Sequence, residues 1–120
     1  MSKKTIVLGA SPHAERYSNR AVLQLKKYGH EVIAIGNAGG EIDGVILQTG
    51  KPMEYGVDTI SLYLNPKHQA EWYAYILSVH PRRILFNPGA ENEQLEQIAA
   101  AHGIQTDESC TLVLLTTGQY

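Results

Sequence analysis

The sequence predicts an α/β domain with a mainly parallel, five-stranded sheet, and three observations predict it. Short apolar runs such as Ile6-Val7-Leu8 and Ile84-Leu85-Phe86 lack polar alternation, as suits strands buried on both faces. Segments with helical apolar spacing separate those runs. Glycine, asparagine or proline stands at nearly every junction. Strands alternating with helices define the class, and the short crossovers make neighbouring strands parallel with right-handed connections.

Thr5–Leu8 is the first strand and ends at Gly9. Ala14–Ser18 reads as loop, with Ser18 or Asn19 as the cap of a first helix that carries Ala21, Val22, Leu25 and Tyr28 inward. Gly29 stops that helix. Glu31–Ile35 is the second strand. Gly36–Gly44 reads as a flexible loop, Val45–Leu47 as a short strand or turn, and Gly50–Gly56 as another loop. Asp58–Leu64 is the third main strand. Asn65 caps the next helix, with Pro66 at its first position, where a missing N–H costs nothing. That helix presents Ala70, Tyr73, Ala74 and Leu77 on one face and ends near His80-Pro81.

Arg83–Phe86 is the fourth strand, and Glu91–His102 a helix with Leu95, Ile98, Ala99 and His102 inward and Gly103 as its stop. Ile104–Thr106 is the fifth strand. Thr111–Thr117 is β-prone and reads as an extra C-terminal edge strand, or as a tail that pairs with another copy in a homodimer. A strand order of 3-2-1-4-5 places the ligand site at the loops after strands 1 and 4, Gly9–Ser18 and Asn87–Asn92.

Composition narrows the function. The 120 residues fit one domain, 1–120, and 43% hydrophobic with 18% charged content suits a packed core. A net charge of −2 with scattered Lys and Arg argues against a nucleic-acid surface built on bulk positive charge. No apolar run approaches the roughly 20 residues that span a bilayer, and the first apolar run is too short for a signal peptide. The one cysteine, Cys110, excludes an internal disulfide and makes a reducing, cytoplasmic setting the easier expectation. Its acidic neighbours Asp107 and Glu108 mark it as structural rather than reactive. The five histidines show no metal-ligand spacing, so no metal site is expected, and His13 in the first loop reads as solvated or as an anion donor when protonated.

Gly9-Ala10-Ser11-Pro12 follows a strand and precedes a helix. In that context its backbone N–H groups suit an anion, although a plain strand-to-helix turn reads the same way. On a G-x-G-x-x-G register, Ser11 and Ala14 replace the second and third glycines. Gly36-Asn37 stands where a ribose-binding acid would close the second strand, which disfavours a nicotinamide-linked enzyme. Asn87-Pro88-Gly89-Ala90-Glu91-Asn92 reads as a helix-start turn with acidic capping; an anion there would meet Glu91 and Glu93.

The stretch VLGASPHAERYSNRAVLQLKKYGHEVIAIGN resembles the opening of the small stand-alone CoA-binding domain proteins, themselves similar to the CoA-binding domain of the succinyl-CoA synthetase alpha subunit. Val57-Asp58-Thr59-Ile60, Gly89 with Glu91-Asn92-Glu93, Gly103-Ile104 and Cys110 extend the likeness over nearly the whole chain. The resemblance implies a Rossmann-like, doubly wound fold and a CoA or acyl-CoA ligand. It carries Gly9, Ala10, Ser11 and Pro12 onto the first loop, Arg16 onto its basic residue and Asn37 onto the asparagine after strand 2. The chain departs where the family has proline and a basic residue after that asparagine, with Ala38 and Gly39 there instead. After strand 3, Lys67 alone keeps a charge where the family commonly carries arginines. The expectation is a non-catalytic nucleotide-binding module for CoA or an acyl-CoA. The alternative is a structural or regulatory interaction module with a degenerate site.

Overall fold

The computed structural model describes residues 2–120 as a seven-stranded sheet with helices on both faces. In chain order the elements are β1 (Thr5–Leu8), α1 (Tyr17–Lys27), β2 (Val32–Ile35), β3 (Gly40–Ile42), β4 (Val45–Gln48), β5 (Thr59–Leu62), α2 (Tyr73–Val79), β6 (Arg83–Phe86), α3 (Glu93–Ala101), β7 (Gln105–Asp107) and α4 (Thr111–Thr116). Two 3₁₀ turns, Pro66–His68 and Ala70–Trp72, precede α2. The strand order is β3-β4-β2-β1-β5-β6-β7, parallel throughout except for β3 against β4.

This corrects the five-stranded expectation. The predicted loop Gly36–Gly44 contributes β3, which turns through Asp43 (φ 47°) and Gly44 (φ 85°) into β4. Ile42 and Leu47 are buried and hold this hairpin to the sheet. With β4 outside β2, the strand at 59–62 lies beside β1 rather than at the edge. Strand order therefore reverses between β1 and β5, and the ligand crevice of such a sheet falls at the loops after those two strands. The Asn87–Asn92 loop lies one strand further out.

The residues of each strand alternate between two cores. Ile6, Leu8, Ile60, Leu62, Ile84 and Phe86 face the α2–α3 layer with Ile76, Leu95 and Ala99. Val7 and Ala34 face the α1–α4 layer with Val22, Leu25 and Leu115. Each interior branched or aromatic side chain buried in this way contributes about 1.5–3 kcal/mol.

Three helix expectations change. The N-cap of α1 is Arg16, which makes no side-chain cap, while Ser18 and Asn19 are buried inside the first turn. Asn19 Nδ2 instead donates to the Ser11 carbonyl oxygen (2.9 Å). Tyr28 is exposed at the helix end. The segment after Asn65 is two 3₁₀ turns and a seven-residue helix, with Gln69, Tyr75 and Ile76 buried rather than Ala70 and Ala74. The buried Gln69 amide donates to Leu64 O (2.8 Å) and Ala90 O (2.7 Å) and accepts from Asn92 Nδ2 (2.8 Å), so one side chain fixes the irregular path. In α3 the helix starts at Glu93 under an Asn92 cap, and His102 is exposed.

The predicted C-terminal edge strand is the helix α4. Asn87 Oδ1 accepts the Thr111 N–H (2.8 Å), and Thr111 Oγ1 shares a hydrogen with Ser61 Oγ (2.7 Å). Thr111 and Leu115, four residues apart, are buried while Val113 is exposed. That is helical spacing; a strand would bury alternate residues. Local β propensity loses to a cap supplied from the end of β6.

At the amino ends of the strands, Tyr120 closes the α4 face. Its hydroxyl lies 2.6 Å from Thr5 Oγ1, its ring sits under the Arg83 guanidinium (4.5 Å) and against the His30 ring (4.9 Å). His30 Nδ1 accepts the Lys3 backbone N–H (2.9 Å), which requires a neutral imidazole. Burial, with Lys3 and Arg83 nearby, lowers the His30 pKa from its usual value. The folded state then binds fewer protons than the unfolded state, so this contribution is present above about pH 6.5 and lost as pH falls through the lowered pKa. Thermal denaturation from pH 7 to pH 5 should show a falling Tm, and His30→Gln should flatten that fall. Asp58 acts in a separate, lower window. Burial raises its carboxyl, but the Arg82 and Thr59 hydrogen bonds outweigh burial and leave the pKa below the ordinary carboxylate value.

Candidate functional site

The loops after β1, β2 and β5 meet at backbone distance. Gly9 N–H and Ala10 N–H both donate to Ile35 O (2.8 and 2.9 Å), tying the first loop to the end of β2. Gly9 has φ +96°, and a Cβ there would lie 3.0 Å from Leu64 N. At Gly36 a Cβ would lie 2.1 Å from Ala10 O, so only glycine fits. Glycine here serves close approach of one backbone to another.

These contacts make the floor of a cleft of about 950 Å³ at the carboxyl ends of the strands. Gly9, Ala10, Ser11, Pro12 and Arg16 form one wall, Asn37 with Ala38 a second, and Tyr63, Leu64, His68, Glu71 and Trp72 a third. Six of the seven residues singled out in the sequence thus line one cavity. The seventh, Lys67, does not line it; its neighbour His68 does. In a 3₁₀ turn, successive side chains point about 120° apart, so a shift of one residue decides which faces the cleft. Of the Asn87–Asn92 loop, only Pro88 reaches the lining.

The start of α1 opens into this space. Its cap has no side-chain hydrogen bond and its first turn no acidic residue, while Arg16, Tyr17 and Ser18 line the cleft. The first N–H groups of a helix without a side-chain cap carry partial positive charge and suit an anion. Arg16 forms no ion pair among the described residues. Against it stand two lining carboxylates, Glu15 and Glu71.

The third wall is aromatic. The Trp72 ring meets Tyr75 edge-on (5.5 Å) and carries Lys51 Nζ over it at 5.0 Å, while Lys51 Nζ also donates to Glu71 O (2.8 Å). Lys51 therefore sits at the rim, a cation that sequence reading missed. Behind this wall the Tyr63 hydroxyl is buried with no hydrogen-bond partner among the described residues, and burial pushes its pKa up. The Ser61 and Thr111 hydroxyls beneath it bond each other. Sequence spacing carries no signal for Trp72 or His68, since irregular turns deliver both. The signal for Gly36 was its place at the end of β2.

The CoA binding domain family matches residues 3–116, and the chain belongs to that family. None of the curated proteins matches it. A crystal structure of an uncharacterized protein is 46% identical with a TM-score of 0.98, covering 100% of this chain and 99% of that one. The protein cell-free ID.343 from Thermus thermophilus superposes with a TM-score of 0.87 at 18% identity, over 99% and 91% of the two chains. The dinucleotide-forming acetyl-coenzyme A synthetase 1 of Ca. Korarchaeum cryptofilum, in complex with phosphate and ADP, superposes with a TM-score of 0.70 at 17% identity. It covers 88% of this chain and 25% of that one. These last two share the fold. Among the described residues no helix is long and apolar enough to cross a membrane, and no group of three or more His, Cys, Asp or Glu is placed to hold a metal.

Proposed function

We propose that the chain is a non-catalytic module that binds CoA or an acyl-CoA in the cleft around the first βα loop. The observation that carries this reading is the α1 terminus, lacking a side-chain cap and opening into a large cleft at the strand ends, in a chain of the CoA-binding family. The diphosphate lies over Gly9–Pro12 and the first N–H groups of α1, with Arg16 offsetting its charge. The adenosine part lies toward Asn37. Lys67 and the rim residue Lys51 are long enough to meet further phosphate charge.

The reading of an interaction module with a degenerate site draws on the same lining. Glu15 and Glu71 outnumber the one lining arginine. Its other support, a β-pairing C-terminal tail, is gone because that segment is helical.

Titration with CoA, by calorimetry and thermal shift, separates the two. A saturable heat and a rise in Tm are expected. At a ligand excess of 100 times Kd the gain is about 2.7 kcal/mol, or several degrees for a domain of this size. No response at millimolar CoA removes the ligand assignment and leaves the interaction module.

A further inference from the structure

We propose that His13 and His68 bind the anionic part of the ligand in this cleft, and that their protonation sets its affinity. The inference rests on the reading of the cleft as a diphosphate site and goes beyond it. His13 stands on the first loop, where its own N–H donates to Ser11 Oγ (3.1 Å), and His68 ends the first 3₁₀ turn, on the wall that follows β5. Both are exposed and both line the cleft. Both border the space that the α1 terminus opens into.

The charge balance makes these two residues decisive. The lining holds one permanent cation, Arg16, and two carboxylates, Glu15 and Glu71. Around His13 stand Glu15 and Arg16, with Tyr17 from α1. Around His68 stand Lys67, Glu71 with its neighbour Lys51, and Tyr63 from the end of β5. Beyond Pro88, Glu91 accepts the Gly89 N–H. With neutral imidazoles the lining is net negative by one charge; with both protonated it is net positive by one. A diphosphate is held less tightly by the first state than by the second. By linkage, its binding takes up protons near neutral pH.

Dephospho-CoA is the clean probe, because its diphosphate diester holds the same charge across this range, whereas the 3′-phosphate of CoA titrates within it. Calorimetry at about pH 6 and about pH 8 should show binding five- to ten-fold tighter at the lower pH, as two charge-assisted contacts would give. Repeating it at neutral pH in buffers of different ionisation heat should show net proton uptake. The double variant His13→Gln, His68→Gln, both at exposed positions, should keep its circular dichroism spectrum while losing the tightening between the two pH values. Equal affinity at both pH values in the parent protein overturns the inference and leaves the site reading standing, as does tightening that survives in the double variant. Absence of dephospho-CoA and CoA binding at either pH overturns the site reading and the inference together.

Discussion

Replacing Gly36 with alanine should cost about 2–4 kcal/mol of stability and should disrupt the cleft. The added methyl would lie 2.1 Å from the Ala10 carbonyl oxygen, far inside van der Waals contact. No rotamer relieves it, because both clashing atoms are fixed to backbone. The first loop must move, and it moves against the two hydrogen bonds that Gly9 and Ala10 donate to Ile35 O. Gly9 is itself packed on Leu64 N, so the displacement reaches the β5 wall. Urea denaturation should show the midpoint falling by roughly 2 M for a domain of this size. Gly39→Ala is the control. A Cβ there meets nothing within 4 Å and its backbone is not left-handed, so its stability should stay within about 0.5 kcal/mol of the parent. Equal effects at the two positions would contradict the account of how the cleft floor is built.

The second large effect is expected at Asn87. Its fully buried amide donates to Ser61 Oγ and Leu62 O (3.0 Å each) and accepts from Thr111 N (2.8 Å). One side chain joins β5, β6 and the start of α4. Asn87→Ala leaves the Thr111 N–H and the Leu62 carbonyl without that partner in a buried setting and opens a small void. The expected loss is about 3 kcal/mol, from two or more broken buried hydrogen bonds. The loss should be uneven. Hydrogen exchange should accelerate first at the α4 amides, Leu114 and Leu115, while the β1 and β2 amides keep near-parent protection relative to global stability. Uniform acceleration would mean that Asn87 supports the sheet rather than α4.

How much of this was legible depends on where each element's cause lies. β1, β2, β5 and β6 announce themselves, because strands buried on both faces need continuous apolar runs and the chain supplies them. The β3–β4 hairpin is hidden by brevity. Only Ile42 and Leu47 are buried, in a segment otherwise rich in glycine and charge. Missing β4 as a full strand also shifted the strand order, and with it the second loop of the crevice. α4 was illegible for a different reason. Thr111–Thr116 is locally β-prone, and what makes it helical is a cap from Asn87, 24 residues earlier.

The site divides in the same way. Gly9–Pro12 and Asn37 were readable because a strand-to-helix loop and the end of the next strand are fixed by sequence order. Gly36 matters through its distance to Ala10, and no pattern within either segment records that. His68 and Trp72 come from 3₁₀ turns where helical spacing predicted a continuous helix. Lys67 stands next to the cleft-lining His68, and Lys51 at the rim carries no signal in the sequence.

The central claim is that the nucleotide sits at the first βα loop. Titrating ¹⁵N-labelled protein with CoA and following backbone amide shifts tests it most directly. Saturable shifts should concentrate at Ser11, Tyr17, Ser18, Gly36 and Asn37, and the Trp72 indole N–H should move with them. The Leu23, Leu112 and Thr116 amides between α1 and α4 should stay in place. Shifts confined to that α1–α4 groove, or none at millimolar CoA, would contradict the account.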